Sequence, residues 1–338
     1  MTHPEAAFVV RPGPFLHGAR TTRGLMFEVL LSLLPVVFAA TYFFGSVALW
    51  SCVAGCAGAV LCERATRPAR SIDAPARWDA SPYITGLMLA LSLPPALPLW
   101  MVFLGGAFSV GVGKQVFGGL GQNPFNPALV GRAFLQAAFP TTVTRWTLPH
   151  ASFEQLTPSV LSLPLAHPGA VDAVSAATPL GCAKFAHQTT DLSALLQGQV
   201  AGSLGETSAL LLLAIGLWLA LRRAFDYRLC AGTLLSTFAV SALLHALWPD
   251  RCPAPLFMLA SGGLLFAAVF MVTDPVTTPV TPLGAWLFGA GVGFLVVLIR
   301  VFGGLPEGVM YAVLLMNAVT PLLDRYTQPK TFGATVRP

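Results

Sequence analysis

Ten apolar segments dominate this chain, near residues 25–45, 47–62, 83–97, 99–113, 128–140, 207–221, 229–248, 256–273, 283–300 and 308–323. A backbone in lipid has no water to bind, so runs of this kind predict helices that pair their own N–H and C=O groups. The short alternating segments of a transmembrane barrel are missing from the sequence. Composition agrees: 55% of the 338 residues are apolar and 10% are charged, against about 25% charged in a typical soluble domain. The reading is an all-α polytopic membrane protein in contact with the lipid bilayer.

Several segments fall short of the roughly 20 residues that a spanning helix needs. Where they also carry Gly or Pro they predict broken helices, which survive only if protein or a polar cavity covers the freed backbone. The first run, from about Leu25, has no small-residue cleavage site behind it and reads as a retained span.

The net charge of +5 follows topology rather than nucleic acid, because no basic run with interleaved aromatics occurs. With the N-terminus inside, the inner side receives all but five of the 19 basic residues: Arg132, Arg145, Lys184, Arg251 and Arg300 fall on the outer side or at outer helix ends. That bias predicts both termini in the cytoplasm. The expected organisation is a cytoplasmic segment 1–24, a first five-helix unit 25–140, an extracytoplasmic loop 141–206, a second unit 207–323 and a cytoplasmic tail 324–338. Cysteines 52, 56, 62, 182, 230 and 252 show no metal-ligand spacing, and no metal site is expected.

The pentapeptide VFGGL occurs at 116–120 and again at 301–305, after Lys114 and after Arg300. One copy joins the fourth and fifth segments, the other the ninth and tenth. Five spans is an odd number, so equivalent positions should face opposite sides, as in an inverted repeat with ligand sites between the halves.

Polar interruptions supply the candidate residues. In GQNPFNPALVGR (121–132) two Asn-Pro pairs break the backbone, so Asn123 and Asn126, with Gly121 and Arg132, either form a site or cap the next helix. In TDPVTTPVTP (273–282), Asp274 either meets a ligand or caps at the interface. GSLGETS (202–208) fits a capping box between Ser203 and Glu206, with a second role open for Glu206 or Thr207 at a cofactor. In DAVSAATPLG (172–181), Thr178 is placed to cap a short helix that begins with Pro179. Glu28, one turn into the first span, either is a functional carboxylate, costly in lipid, or reaches the interface. No Ser/His/Asp or Cys/His arrangement and no phosphate loop occur, so no acid–base catalytic residues are expected.

Taken in order, GGLGQNPFNPALVGRAFLQAAFP (118–140), DAVSAATPLG, GSLGETS, TDPVTTPVTP and IRVFGGLPEGVMYAVLLMNAVTPLLDRYTQP (299–329) resemble one family. It contains the D-type subunit of the Rnf electron-transport complex and the B-type subunit of the sodium-translocating NADH:quinone reductase. The likeness runs from about residue 15 to 333, and the short N-terminus and YTQPKTFG ending look more like the Rnf member. It implies about ten helices in two inverted five-helix repeats, similar to urea transporters. It also implies FMN joined through its phosphate to Thr178, within a pattern met by Asp172, Ser175, Pro179 and Leu180. A second, noncovalent riboflavin is implied, for which Gly121, Asn123, Asn126 and Arg132 are candidates, there or around the FMN.

The activity implied is electron relay between ferredoxin and NAD⁺, coupled to Na⁺ or H⁺ movement. Its setting is a bacterial inner membrane, with the Thr178 loop outside. Implied partners are the other Rnf subunits (A, B, C, E and G types) and a membrane flavin transferase. The alternatives are the quinone-reductase subunit and, from another class, a solute channel, which the fold alone would serve.

Overall fold

The computed structural model describes residues 21–66, 79–150, 160–163, 176–206 and 208–329. Asp172, Ser175 and Thr207 lie outside these described residues. The main helices are α1 (Thr22–Phe44), α2 (Ser46–Thr66), α3 (Ser81–Leu91), α4 (Leu99–Val110, continued by a π turn, Gly111–Gln115) and α5 (Pro127–Ala138). They are followed by α6 (Ala209–Leu221), α7 (Tyr227–Leu247), α8 (Pro255–Ala260), α9 (Leu264–Phe266, continued by a π turn, Ala267–Met271), α10 (Pro282–Phe302) and α11 (Val309–Thr327). Each apolar segment of the sequence therefore carries helix. The only β pairing among the described residues is an isolated antiparallel bridge, Trp146 to Ala176.

Helices α1, α2, α7 and α10 are long and apolar enough to cross a bilayer. Their outward faces keep large apolar side chains uncovered, including Phe38 and Tyr42 on α1 and Leu235 and Leu243 on α7. Such a surface suits lipid, since a soluble monomer rarely exposes so wide an apolar area. The chain is a multi-pass membrane protein.

Helix starts are set by side chains that accept otherwise free N–H groups. Thr21 accepts from Gly24 N, Asn126 from Ala128 N and Leu129 N, Asp226 from Arg228 N, and Thr281 from Gly284 N. Helix stops depart from the apolar pattern in two places. The segment 83–97 is helical only to Leu91, because Pro94, Pro95 and Pro98 cannot donate to a continuing ladder. The segment 256–273 breaks at Ser261–Gly263, where Gly262 takes φ +66°.

Both breaks are covered. Leu91 O accepts from Gly205 N at 2.6 Å and Leu93 O from Leu204 N at 3.1 Å. The Arg300 guanidinium donates to the carbonyls of Met258 and Ser261. The residues that serve α3 come from the end of the expected loop 141–206. Ala201, Ser203 and Leu204 are buried among the helices, and the backbone N–H groups of Leu204 and Gly205 replace the partners that the prolines removed.

Two close helix contacts depend on small residues. α2 packs on α4 where a Cβ on Gly106 would sit 2.3 Å from Gly55 O, and one on Gly58 would sit 2.0 Å from Phe103 O. α7 packs on α10 in the same manner, with Gly289 against Leu229 O at 2.6 Å and Gly293 against Thr233 O at 2.5 Å. Without a hydrophobic driving force between helices in lipid, such backbone approach supplies the association. One contiguous core joins residues from α1–α5 to residues from α6–α11, with Leu89, Phe266 and Phe288 fully buried in it.

Gly106→Val is therefore expected to destabilise the protein by about 1–3 kcal/mol through overpacking. Gly304→Ala, with nothing within 4 Å of the added carbon, is expected to be neutral. Thermal unfolding in detergent, followed by intrinsic fluorescence, compares the two.

Candidate cofactor-binding site

Thr178 adopts extended backbone (φ −65°, ψ 155°), and its Oγ1 accepts from Gly181 N at 3.1 Å. Pro179 follows at the first helical position, so the short turn Pro179–Gly181 starts as the sequence suggests. A π turn, Cys182–Ala186, continues it and ends at His187 with φ +53°. Ahead of Thr178, Ala176 N donates to Trp146 O at 2.9 Å. The threonine is thus held on rigid chain, only 4% exposed.

It is held against a cavity of about 650 Å³. Arg132 and Gln136 of α5 line this space together with Arg145, Trp146, Phe185 and Glu307. Arg132 Nη2 donates to Glu307 Oε2 at 3.0 Å, with both side chains largely buried. The volume lies within the roughly 300–1,000 Å³ usual for cofactor and small-molecule sites. An aromatic and aliphatic wall with two guanidinium groups suits a flat ring system carrying a phosphate. The hydroxyl oxygen of Thr178 takes its hydrogen bond as an acceptor, which leaves its O–H bond uncommitted.

Lys184 fixes the Thr178 segment to the rest of the protein. Its ammonium donates to Arg300 O at 2.8 Å, to Gly303 O, and to Leu305 O at 3.3 Å. The first two of these carbonyls belong to the last turn and cap of α10, where a cation complements the helix dipole. Burial lowers the Lys184 pKa from its ordinary value. Leu180 is buried beside Gly262, at the break between α8 and α9.

The remaining candidates do not share one cavity. Asn126 caps α5, and its Nδ2 reaches Met271 O and Asp274 Oδ2, both at 3.4 Å. Its backbone N–H donates to Asn317 Oδ1 of α11 at 3.3 Å. Asn123 Nδ2 donates to Phe125 O, while its buried Oδ1 has no partner among the described residues. Asn123, Asn126 and Asp274 line a second cavity of about 280 Å³, with Lys114, Phe225 and Phe270. Asp274 also makes a turn by accepting from Val276 N at 3.1 Å.

Arg132 does not join this group. Six residues on from Asn126, it points into the Thr178 cavity, so α5, about 18 Å long, carries one candidate toward each site. Gly121 is exposed with φ +90° and lines neither cavity. Its part is the left-handed turn that leads into the Asn-Pro pairs.

The capping box at 203–206 is only half formed. Glu206 Oε2 accepts from Ser203 N at 3.3 Å, but Ser203 Oγ is without a partner among the described residues. Ser208 caps α6 instead, accepting from Leu211 N. Residues 203–206 are drawn away from α6 by the bonds to α3. Glu28 pairs with Arg222 at 2.6 Å near the surface, a bond of small energetic consequence.

Two basic residues depart from their reading as boundary charges. Lys114 is 2% exposed and bonds Glu63 Oε2 at 2.8 Å and Ser81 Oγ at 3.0 Å. Arg300 is 4% exposed and bonds only carbonyls. Their partners lie 33 to 51 residues away, so local sequence does not reveal them; the one signal is their shared position before VFGGL. Glu307 and Trp146 carry no local signal at all.

These sites sit on a chain with well-defined relatives. The model of the NQR2, RnfD, RnfE family matches residues 9–333. The chain belongs to that family of membrane oxidoreductase subunits. It is 40% identical to the D-type subunit of the ion-translocating oxidoreductase complex of Stutzerimonas stutzeri, over 93% of this chain and 92% of that one. The subunit of the same name from Yersinia enterocolitica is 38% identical over 96% and 98%, and that from Sodalis glossinidius 39% over 97% and 99%.

Lys184→Met is expected to free the segment around Thr178 from the end of α10. Limited chymotrypsin digestion, read at the bond after the exposed Phe185, should then proceed several-fold faster than in the wild type.

Proposed function

We infer that the chain is the D-type membrane subunit of an ion-translocating ferredoxin:NAD⁺ oxidoreductase complex, and that it relays electrons through FMN esterified to Thr178. The observation that carries this reading is the cavity at Thr178, where a buried hydroxyl, two arginines and Trp146 converge. The name shared by the relatives, the D-type subunit of an ion-translocating oxidoreductase complex, supports the same class.

FMN bound here would supply reversible one- and two-electron chemistry. The protein's part is to bind, orient and shield. Thr178 Oγ1 offers its O–H position to the phosphoester while still accepting from Gly181 N. Among the described residues of the wall, Arg145 is the cation left for the remaining phosphate charge, since Arg132 is committed to Glu307. Trp146 and Phe185 offer ring faces, and the Lys184 contacts hold the segment still. No residue acts here as an acid–base catalyst, and the subunit is not an enzyme alone.

The second cavity suits a noncovalent riboflavin. It has buried amide groups at Asn123 and Asn126, a carboxylate at Asp274 and aromatic walls. Its described lining residues leave no free cation for a phosphate, because Lys114 is held by Glu63. The start of α5 lines one cavity and its middle the other, so electrons entering by one flavin have a second within the same subunit.

We read the architecture as ten spans in two inverted halves. Support comes from the matching contacts of α2 with α4 and α7 with α10, and from a broken element in each half. The Thr178 side is then the outer face of a bacterial inner membrane, with both termini cytoplasmic. A flavin transferase reaches Thr178 from outside, and the other complex subunits supply and accept the electrons.

Two measurements test the cofactors. A denaturing gel of purified protein should show flavin fluorescence in the wild type and none in Thr178→Ala. If the two are alike, the attachment is elsewhere. Asn123→Leu should reduce the flavin released by acid precipitation, which is the noncovalent fraction, by tenfold or more. It should leave the covalent signal intact.

A further inference from the structure

Two charges of the Thr178 cavity wall, Arg132 on α5 and Glu307 ahead of α11, interact with two more that lie outside its lining: Arg300 at the end of α10, beside Gly262, and Glu206 ahead of α6, beside Gly263. Glu206 feels the charges of Glu307 and Arg132, and Arg300 feels those of both glutamates. The cluster sums to zero only when both carboxylates are ionised. Four of its atoms are buried without hydrogen-bond partners among the described residues: Glu206 Oε1, Glu307 Oε1, Arg132 Nε and Arg300 Nε.

Glu206 stands out within this group. Its Oε2 is committed to Ser203 N, whereas Oε1 lies in a slot made by glycine. A Cβ on Gly263 would sit 2.7 Å from Oε1, and one on Gly202 would sit 2.8 Å from Oε2. The slot therefore leaves one carboxylate oxygen unpaired while the other is anchored. A proton added at Oε1 disturbs no existing bond. Burial makes an uncompensated charge costly, so any negative charge added nearby favours such a proton.

We propose that Glu206 is a redox-linked proton site, taking up a proton at Oε1 when an electron arrives at the cofactor held by Thr178. The proposal rests on the FMN reading given above. The electron comes from the donor subunits of the complex and the proton from water on the cavity side. One O–H bond forms at Oε1, no bond in the protein breaks, and the summed charge of cofactor and Glu206 is unchanged. Of the charged groups that face Glu206, Arg132 and Arg300 favour its ionised form and Glu307 opposes it. Ser203 is the polar neighbour on its own segment.

The test is redox-difference infrared spectroscopy on the purified complex, with in-gel flavin fluorescence of every variant. Reduction of the wild type is expected to produce a carboxylic acid C=O band that is lost in Glu206→Gln. The midpoint potential of the covalent flavin should become less dependent on pH in that variant. Glu307→Gln should shift the band without removing it. If the band survives in Glu206→Gln while flavin is present, this proposal alone is overturned. If the wild type holds no covalent flavin, the FMN reading falls and the proposal with it. Should Glu206→Gln fail to accumulate, Gly263→Ala crowds Oε1 in its place, and an unchanged band there also overturns the proposal.

Discussion

An interrupted helix in an apolar medium must find new partners for the backbone groups it frees, and the candidate sites of this protein are arranged around two such interruptions. At the first, prolines end α3 and the backbone of Leu204 and Gly205 takes over. At the second, a left-handed glycine parts α8 from α9 and the Arg300 guanidinium bonds the carbonyls left behind. A guanidinium is suited to this because it presents several donors in a fixed plane and stays charged when buried. Moving Arg300 would leave carbonyls and a cation unpaired together, at about 1–3 kcal/mol for each carbonyl and more for the cation.

Those two repairs also decide where the candidate sites lie. The residues that repair α3 carry Glu206, and the residue that repairs the second break ends α10, where Lys184 docks the Thr178 segment. Thr178 is thus fastened to the membrane-embedded part of the chain through Lys184 and Leu180. The second cavity is framed separately, by the Asn126 links to Asp274, Met271 and Asn317. α5 connects the two, with Asn126 at its start and Arg132 midway along it.

Much of this is legible in the sequence, and the exceptions have physical causes. Apolar runs locate the helices because lipid leaves the backbone no alternative. Pro94 and Pro95 explain why 83–97 is less helical than its hydropathy suggests, a rule masked here by flanking leucines. Thr178 as a cap is readable from its Pro179 neighbour; that it faces a cavity with Arg132 is not, since the two are joined only by folding. Lys114 and Arg300 look like charges at span ends because burial of a cation depends on partners distant in sequence. Grouping Arg132 with Asn123 and Asn126 fails for a simpler reason. Six residues of helix carry a side chain about 9 Å along the axis, enough to move it from one site toward another.

Charge is what separates the two cavities chemically. In the smaller one Lys114 is neutralised by Glu63, which leaves the amides of Asn123 and Asn126, the hydroxyl residues Thr22, Ser81, Thr85 and Thr273, and the carboxylate of Asp274. Near Thr178, by contrast, two arginines and two glutamates balance closely, and Arg145 stands in excess at the cavity wall. Under the proposed function, the phosphate of FMN would meet this excess, and a ring system without phosphate would occupy the other site. The same accounting explains why a single unpaired oxygen matters. In a low-dielectric region an added electron cannot be dispersed by solvent, so whichever group nearby can accept a proton most freely will carry the response. Glu206 Oε1 is shielded and has no hydrogen-bond partner among the described residues, in a slot kept open by glycine, so it can take that proton while Oε2 keeps its bond to Ser203.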